Sequence, residues 1–72
     1  MNRSNKTALC SSLLASAQYL ADERALLITF ASGKVYRYDS VERSIFEELL
    51  RAPSAGGYFN RNVRGRFPCS RA

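Results

Sequence analysis

The stretch LLITFASGKVYRY, residues 26–38, decides the fold, because it carries the pattern of a β-hairpin. Leu26, Ile28 and Phe30 recur with a period of two, which predicts a strand. The small residues ASG follow, and a second strand is predicted over residues 35–38. The sequence therefore predicts two antiparallel strands joined by a tight loop.

The length of this loop determines which side chains share a face of the hairpin. A two-residue loop would place Ser32 at positive φ, which is unfavourable for a residue other than glycine. A three-residue loop from Ala31 to Gly33 needs positive φ only at the glycine, as in a type I turn followed by a G1 bulge. We predict the three-residue loop. The strands then pair Phe30 with Lys34, Ile28 with Tyr36, and Leu26 with Tyr38.

In this register Tyr36 and Tyr38 share the face of the apolar residues of the preceding strand, and Arg37 projects from the other face. Two interpretations of the tyrosines follow. They are core residues whose hydroxyl groups reach the rim, or they form an exposed platform on which nucleic-acid bases stack. Because a helix is available to cover this face, we interpret them as core residues.

A further strand is predicted before the hairpin, over residues 12–20, and the polar turn ADER separates the two. An export signal is the alternative, since Arg3 and Lys6 precede the apolar residues and Ala15–Ala17 resembles a small-residue cleavage site. We interpret the segment as a strand, because two serines interrupt an apolar run that is already short.

The first of two predicted helices follows the hairpin. Asp39 and Glu42 stand three residues apart, as in a capping box, and Pro53 is expected to end the helix at about Arg51. The predicted apolar face consists of Val41, Ile45, Phe46, Leu49, Leu50 and Ala52.

A second, shorter helix is predicted from the cap residue Ser54 through AGGYFNRNV, and Gly65 is expected to end it. Tyr58, Phe59 and Val63 are expected to anchor this helix to the sheet. The predicted fold class is α+β. It consists of a three-stranded antiparallel β-meander followed by one longer and one short α-helix, both packed on one face.

Composition limits the chemistry that the chain can perform. It has 72 residues, no histidine and two cysteines, Cys10 and Cys69, near opposite ends. Nucleophilic catalysis with a histidine base is excluded, and no set of zinc ligands is present. We therefore predict no enzyme activity, no metal and no cofactor. The cysteines either form one disulfide or remain free thiols in the cytoplasm, and we favour free thiols in a cytoplasmic protein.

Charge is distributed unevenly along the chain. Residues 1–50 carry six basic and six acidic groups, whereas residues 51–72 carry five arginines and no acid, so the last 22 residues hold the whole net charge of +5. Such asymmetry indicates a polyanionic partner or, alternatively, a solubilising tail. The five arginines are Arg51, Arg61, Arg64, Arg66 and Arg71.

Three motifs together resemble the KTSC domain, a module of about sixty residues with a central Tyr-x-Tyr. They are the serine pair at residues 11–12, F-x-x-G-x-x-Y-x-Y across the hairpin, and APSAGGYFNRNVRGRF at residues 52–67. Glu42 departs from the pattern, since the family commonly has proline there. The resemblance implies a domain at residues 11–67 between flexible ends at 1–10 and 68–72.

The KTSC domain occurs at the C-terminus of some lysyl-tRNA synthetases and as small stand-alone bacterial proteins. The resemblance, combined with the charge distribution, therefore predicts a nucleic-acid-binding module, for RNA in preference to DNA. The alternative is an adaptor that binds an acidic protein, and no membrane contact is expected. The predicted binding residues are Arg51, Arg61, Arg64, Arg66, Lys34 and Arg37. The predicted structural motif consists of Gly33, Tyr36, Tyr38, Tyr58 and Phe59.

Overall fold

Over the residues that the structure describes, the chain folds into a five-stranded antiparallel sheet and two helices. The structure is a computed structural model, and it describes residues 5–9 and 11–72. Arg3 and Cys10, which entered the sequence analysis, lie outside the described residues. The strands follow one another in the sheet in chain order. The elements are β1 (Asn5–Ala8), β2 (Leu14–Leu20), β3 (Ala25–Phe30), β4 (Val35–Tyr38), α1 (Arg43–Arg51), α2 (Ala55–Asn62) and β5 (Cys69–Arg71).

The predicted α+β class is confirmed, but the predicted count of three strands was wrong. β1 pairs with β2, and β5 pairs with β4, so each adds an edge to the predicted meander. Both additional strands come from the segments 1–10 and 68–72. They have three or four residues each, without an alternating apolar pattern, and gain their conformation from hydrogen bonds to a longer neighbour.

The β3–β4 hairpin has the predicted register. Ile28 pairs with Tyr36, and Leu26 pairs with Tyr38. The backbone N–H of Phe30 donates to the Lys34 carbonyl at 2.8 Å, and that of Gly33 donates to the Phe30 carbonyl at 2.8 Å. Gly33 has φ +98°, which confirms the prediction that the glycine carries the positive φ of the loop.

Both helices pack on the sheet face that bears the tyrosines. Phe46 of α1 stacks on Tyr19 of β2 with ring centroids 5.6 Å apart, and the Tyr19 hydroxyl donates to the Val41 carbonyl at 2.7 Å. Phe59 of α2 is fully buried and meets Tyr38 edge to face. The aromatic contact of Tyr38 therefore comes from the short second helix.

The start of α1 differs from the prediction, and the predicted capping box was wrong. α1 begins at Arg43, and its N-cap residue Glu42 makes no side-chain capping hydrogen bond. The Asp39 carboxylate instead accepts a hydrogen bond from Arg37 Nε at 2.8 Å. This ion pair occupies the side chain that the capping box requires. The helix ends at Arg51, as Pro53 predicted.

α2 follows the predicted pattern. The Ser54 hydroxyl oxygen accepts from the Gly57 N–H at 3.1 Å, and Gly65, which follows the helix, has φ +75°. The Tyr58 hydroxyl donates to Glu48 Oε1 at 2.8 Å and so links α2 to α1. Burial, followed by this hydrogen bond, raises the pKa of Tyr58 to about 12.

Candidate nucleic-acid interface

The arginines of the C-terminal part of the chain are exposed. Arg61 lies in the last turn of α2, and Arg64 and Arg66 lie in the turn that follows. Arg66 Nε donates to the Arg61 carbonyl at 2.9 Å, and Arg64 Nη1 donates to Asn60 Oδ1 at 3.2 Å. These neutral acceptors hold the guanidinium groups in place without cancelling their charge.

The ion pairs among the described residues involve two other arginines. Arg37 contacts Asp39 and Glu23 through Nε and Nη1, at 2.8 and 2.6 Å, and Arg43 contacts Glu47 at 3.3 Å. Within residues 5–9 and 11–72, therefore, Arg51, Arg61, Arg64 and Arg66 make no ion pair with a carboxylate. This sets them apart from the arginines of the first fifty residues that have acidic partners.

Arg37 is placed differently from the other predicted binding residues. Its hydrogen bonds to Asp39 and Glu23 raise the pKa of its guanidinium group. The strand register directs it away from the face of Tyr36 and Tyr38, because successive residues of a strand alternate between faces. Two carboxylates thus compensate one cation, and the structure does not bring Arg37 together with the turn after α2.

Lys34 and Arg64 lie beside a groove of about 410 Å³ between the β3–β4 hairpin and the segment that follows α2. We call it the aromatic groove, because four of its lining residues carry rings. The ring-bearing residues are Phe30, Tyr36, Tyr38 and Phe67. The fold therefore joins two predicted cations, distant in the chain, to the two tyrosines of the central motif.

The two tyrosines have different environments within this groove. Tyr38 is only 5% exposed, whereas Tyr36 is half-buried. Phe30 meets Tyr36 edge to face, with centroids 5.6 Å apart and an interplanar angle of 84°. Tyr38 is therefore a core residue, as predicted, and Tyr36 both packs on the core and borders the groove.

Several groove residues were missed by the sequence analysis. β5 pairs Cys69 with Tyr38 and Arg71 with Tyr36, which places both partners on the tyrosine face of the sheet. Burial, and then the neighbouring Cys69 side chain, raise the pKa of Tyr38 to about 12. Phe67 was noted only as part of a motif. Finding this set required the position of β5, which has no signal of its own in the sequence.

A second cavity of about 390 Å³ lies between the loop before β2 and the beginning of α2. It is similar in size to the aromatic groove but different in chemistry. Its lining includes Ser11, Ser54 and Asn60, together with small and apolar residues, and it contains no aromatic ring and no charged side chain. Of these two cavities, the aromatic groove is the one whose residues suit both a base and a phosphate.

Two further features were sought in the described part of the chain, a membrane-spanning helix and a cluster of metal ligands. Neither α1 nor α2 has the length and apolar character needed to cross a lipid bilayer. Among residues 5–9 and 11–72, no three histidine, cysteine, aspartate or glutamate side chains come together as metal ligands would.

The fold and the site together define a small α+β domain whose helices cover one face of an antiparallel sheet, with a basic, aromatic-lined groove at one edge. The chain belongs to the KTSC domain family, because the model of that family matches residues 10–67. The resemblance seen in the sequence is thereby confirmed.

A solved structure and curated relatives agree with this assignment. The crystal structure of a KTSC domain protein from Yersinia pestis superposes with a TM-score of 0.91 at 27% identity, covering 97% of this chain and 99% of that one. An uncharacterized protein from Stutzerimonas stutzeri is 39% identical over 56 residues, which are 78% of this chain and 79% of that protein.

A lysine–tRNA ligase from Nostoc punctiforme is also similar, with 39% identity over 56 residues. The match covers 78% of this chain but only 10% of the ligase. A ligase from Trichormus variabilis gives 38% identity over the same length and the same coverage. The chain thus spans about a tenth of the length of the ligases that it matches.

Proposed function

We propose that this domain binds nucleic acid, RNA in preference to DNA, through the exposed arginines of its C-terminal part. The observation that carries the proposal is the set of arginines after residue 50 that have no carboxylate partner among the described residues. Unpaired guanidinium groups offer forked hydrogen-bond donors to phosphate oxygens and gain binding free energy from the release of counterions.

Lys34 and Arg64 belong to this surface because they border the aromatic groove. Arg61 and Arg66 extend it along the end of α2, and Arg51 adds an exposed cation at the end of α1. Arg37 contributes less than the sequence suggested, since its charge is already compensated by two carboxylates. We therefore leave Arg37 out of the proposed contacts.

The preference for RNA rests on the relatives. Proteins named lysine–tRNA ligase contain a segment similar to this chain, and the name describes an enzyme that acts on tRNA. The step from that name to this chain is an analogy, since a shared fold by itself defines no function. A cytoplasmic location fits this proposal.

A binding titration tests the proposal with three probes: tRNA, a single-stranded RNA and a DNA duplex, each at two salt concentrations. We expect binding of all three at low salt and weaker binding at high salt. Three to four phosphate contacts on a single strand give a slope of about −2 to −3 in log K against log salt concentration. A folded protein that binds none of the probes at low salt would overturn the proposal in favour of the acidic-protein adaptor.

A further inference from the structure

The aromatic groove has features that phosphate binding alone does not require. A purely electrostatic surface needs cations, and the exposed arginines of the C-terminal part supply them. Yet Lys34 and Arg64 lie beside the half-buried rings of Tyr36 and Phe67. Aromatic rings and cations that line one groove supply both of the contacts that a single strand makes, stacking on a base and hydrogen bonds to phosphate.

We infer that the aromatic groove receives one unstacked base of a single-stranded nucleic acid, with Lys34 and Arg64 contacting the flanking phosphates. This inference rests on the proposed function and makes it more specific, since it makes the single strand the preferred form. Bases within a duplex are stacked and paired, so their faces are not accessible to a protein ring.

Tyr36 is the ring best placed to contact the base. In its edge-to-face contact with Phe30, the edge of one ring meets one face of the other, so at least one face of Tyr36 takes no part in this contact. The residue as a whole is half-buried. Tyr38 cannot take this role, because it is 5% exposed and packs against Phe59. Phe67 supplies a second partly exposed ring from the segment before β5.

The size of the groove agrees with a single nucleotide as its occupant. At about 410 Å³ it falls near the lower end of the range of small-molecule sites, which is roughly 300–1,000 Å³. Its cations match the negative charge of the phosphates on either side of a base. Selection of the base by hydrogen bonds is not part of the inference, because every base has a π-face that an aromatic ring can contact.

The test compares a twelve-residue oligothymidylate, an abasic oligodeoxynucleotide of the same length and a DNA duplex, all at the same salt concentration. The unmodified protein is expected to bind the oligothymidylate about tenfold more tightly than the abasic strand, because only the oligothymidylate has a base that can stack on an aromatic ring. Tyr36→Leu and Phe67→Leu should each remove most of this difference while leaving duplex binding unchanged. Circular dichroism confirms that each variant is folded.

Tyr58→Leu is the matched control. Tyr58 is another half-buried tyrosine, but its hydroxyl group contacts Glu48 on α1 and it does not line the groove. Its replacement should alter neither single-strand nor duplex affinity. If Tyr58→Leu reduces single-strand binding as much as Tyr36→Leu, the groove is not the site of the base.

Alkylation of Cys69 tests the inference without replacing any aromatic residue of the groove. Its thiol is exposed and lines the groove. In a Cys10→Ser protein, saturating oligothymidylate should slow the alkylation of Cys69 at least severalfold, and the abasic strand should slow it less. Equal protection by the two strands would overturn the inference.

The remaining outcomes separate this inference from the proposed function. Equal affinity for oligothymidylate, abasic strand and duplex would overturn the base-binding groove and leave electrostatic nucleic-acid binding intact. Absence of binding to every probe at low salt would overturn both. The abasic comparison uses the unmodified protein, so a variant that fails to fold does not remove the test.

Discussion

Two tyrosines that are neighbours on one face of β4 serve different purposes. Tyr38 is covered by Phe59 of α2 and belongs to the core. Tyr36 lies two residues closer to the hairpin loop and remains half-buried beside the aromatic groove. Both tyrosines line the groove, but the motif combines a buried ring that anchors the sheet with a partly exposed ring that a ligand can reach. The strand period explains this, because it keeps both rings on one face while moving them along it.

Gly33 is the residue that sets the register of these tyrosines. Its φ is +98°, and a Cβ atom built there would meet nothing within 4 Å, so a substitution costs free energy through the backbone alone. We expect Gly33→Val to lower the free energy of unfolding by roughly 1–3 kcal/mol. Gly33→Asn should cost less, since asparagine tolerates positive φ better. Urea unfolding measures both, and equal losses in the two variants would contradict a conformational origin.

Tyr58 makes the stability depend on pH in the alkaline range. Its pKa is raised to about 12 by burial and by the hydrogen bond to Glu48, whereas an unfolded tyrosine has a pKa of about 10. The folded state thus holds the proton more tightly. The stabilisation that the protonated Tyr58 hydroxyl gives the folded state is therefore complete below pH 10 and is lost as the pH rises toward 12. We expect Tyr58→Phe to show a smaller loss of stability between pH 10 and 12 in urea unfolding, and an identical loss would refute the assignment.

At the scale of the elements, the sequence predicted what local pattern controls. The β3–β4 register followed from the glycine loop, and the ends of α1 and α2 followed from Pro53 and Gly65. β1 and β5 were missed because pairing with a neighbour defines them, with no alternation of their own. The start of α1 was misplaced because Asp39 binds Arg37.

The prediction of the candidate site was limited in the same way, because the sequence shows local pattern but not the contacts that folding creates. The charge pattern identified the cations, because charge is visible in the sequence without the fold. The aromatic groove was not visible, since it lies between the β3–β4 hairpin and the segment after α2, which only the folded chain brings together. The two acids that compensate Arg37 likewise come from the turn before β3 and the end of β4.

The two helix starts differ in a way that mutation can measure. Ser54 caps α2 by accepting a hydrogen bond from Gly57, whereas Glu42 provides α1 with no such bond although its backbone is extended, as an N-cap residue should be. We expect Ser54→Ala to destabilise the protein by about 1 kcal/mol, and Glu42→Ser to stabilise it by about 0.5–1 kcal/mol. Thermal unfolding measures both changes.

The control for this prediction is Glu42→Ala. This variant loses no capping hydrogen bond, because Glu42 makes none, so its stability should change by less than about 0.5 kcal/mol. A gain from Glu42→Ala equal to the gain from Glu42→Ser would show that removal of the negative charge, and not a new cap, is responsible.

On the scale of the whole molecule, we expect nucleic-acid affinity to depend more on the positions of the charges than on the net charge. The chain measures 29 × 24 × 22 Å along its principal axes, whereas the Debye length at physiological ionic strength is about 8 Å. Exposed charges on opposite sides of the molecule are therefore screened from one another. Nucleic-acid affinity should depend on the arginines near the turn after α2 and not on the net charge of +5.

Replacing one arginine at a time separates these two explanations. Arg61, Arg64 and Arg66 are exposed and have no carboxylate partner among the described residues, so their loss should cost little stability. We expect each Arg→Gln variant to weaken the binding of tRNA, single-stranded RNA and duplex about equally. Each should also flatten the salt slope by somewhat less than one unit, because each removes one phosphate contact. Arg43→Gln is the matched control, since Arg43 is also exposed but paired with Glu47, and its loss changes the net charge by the same amount. Affinity and slope should be unaffected by Arg43→Gln, and a loss equal to that of Arg64→Gln would mean that net charge alone drives the association.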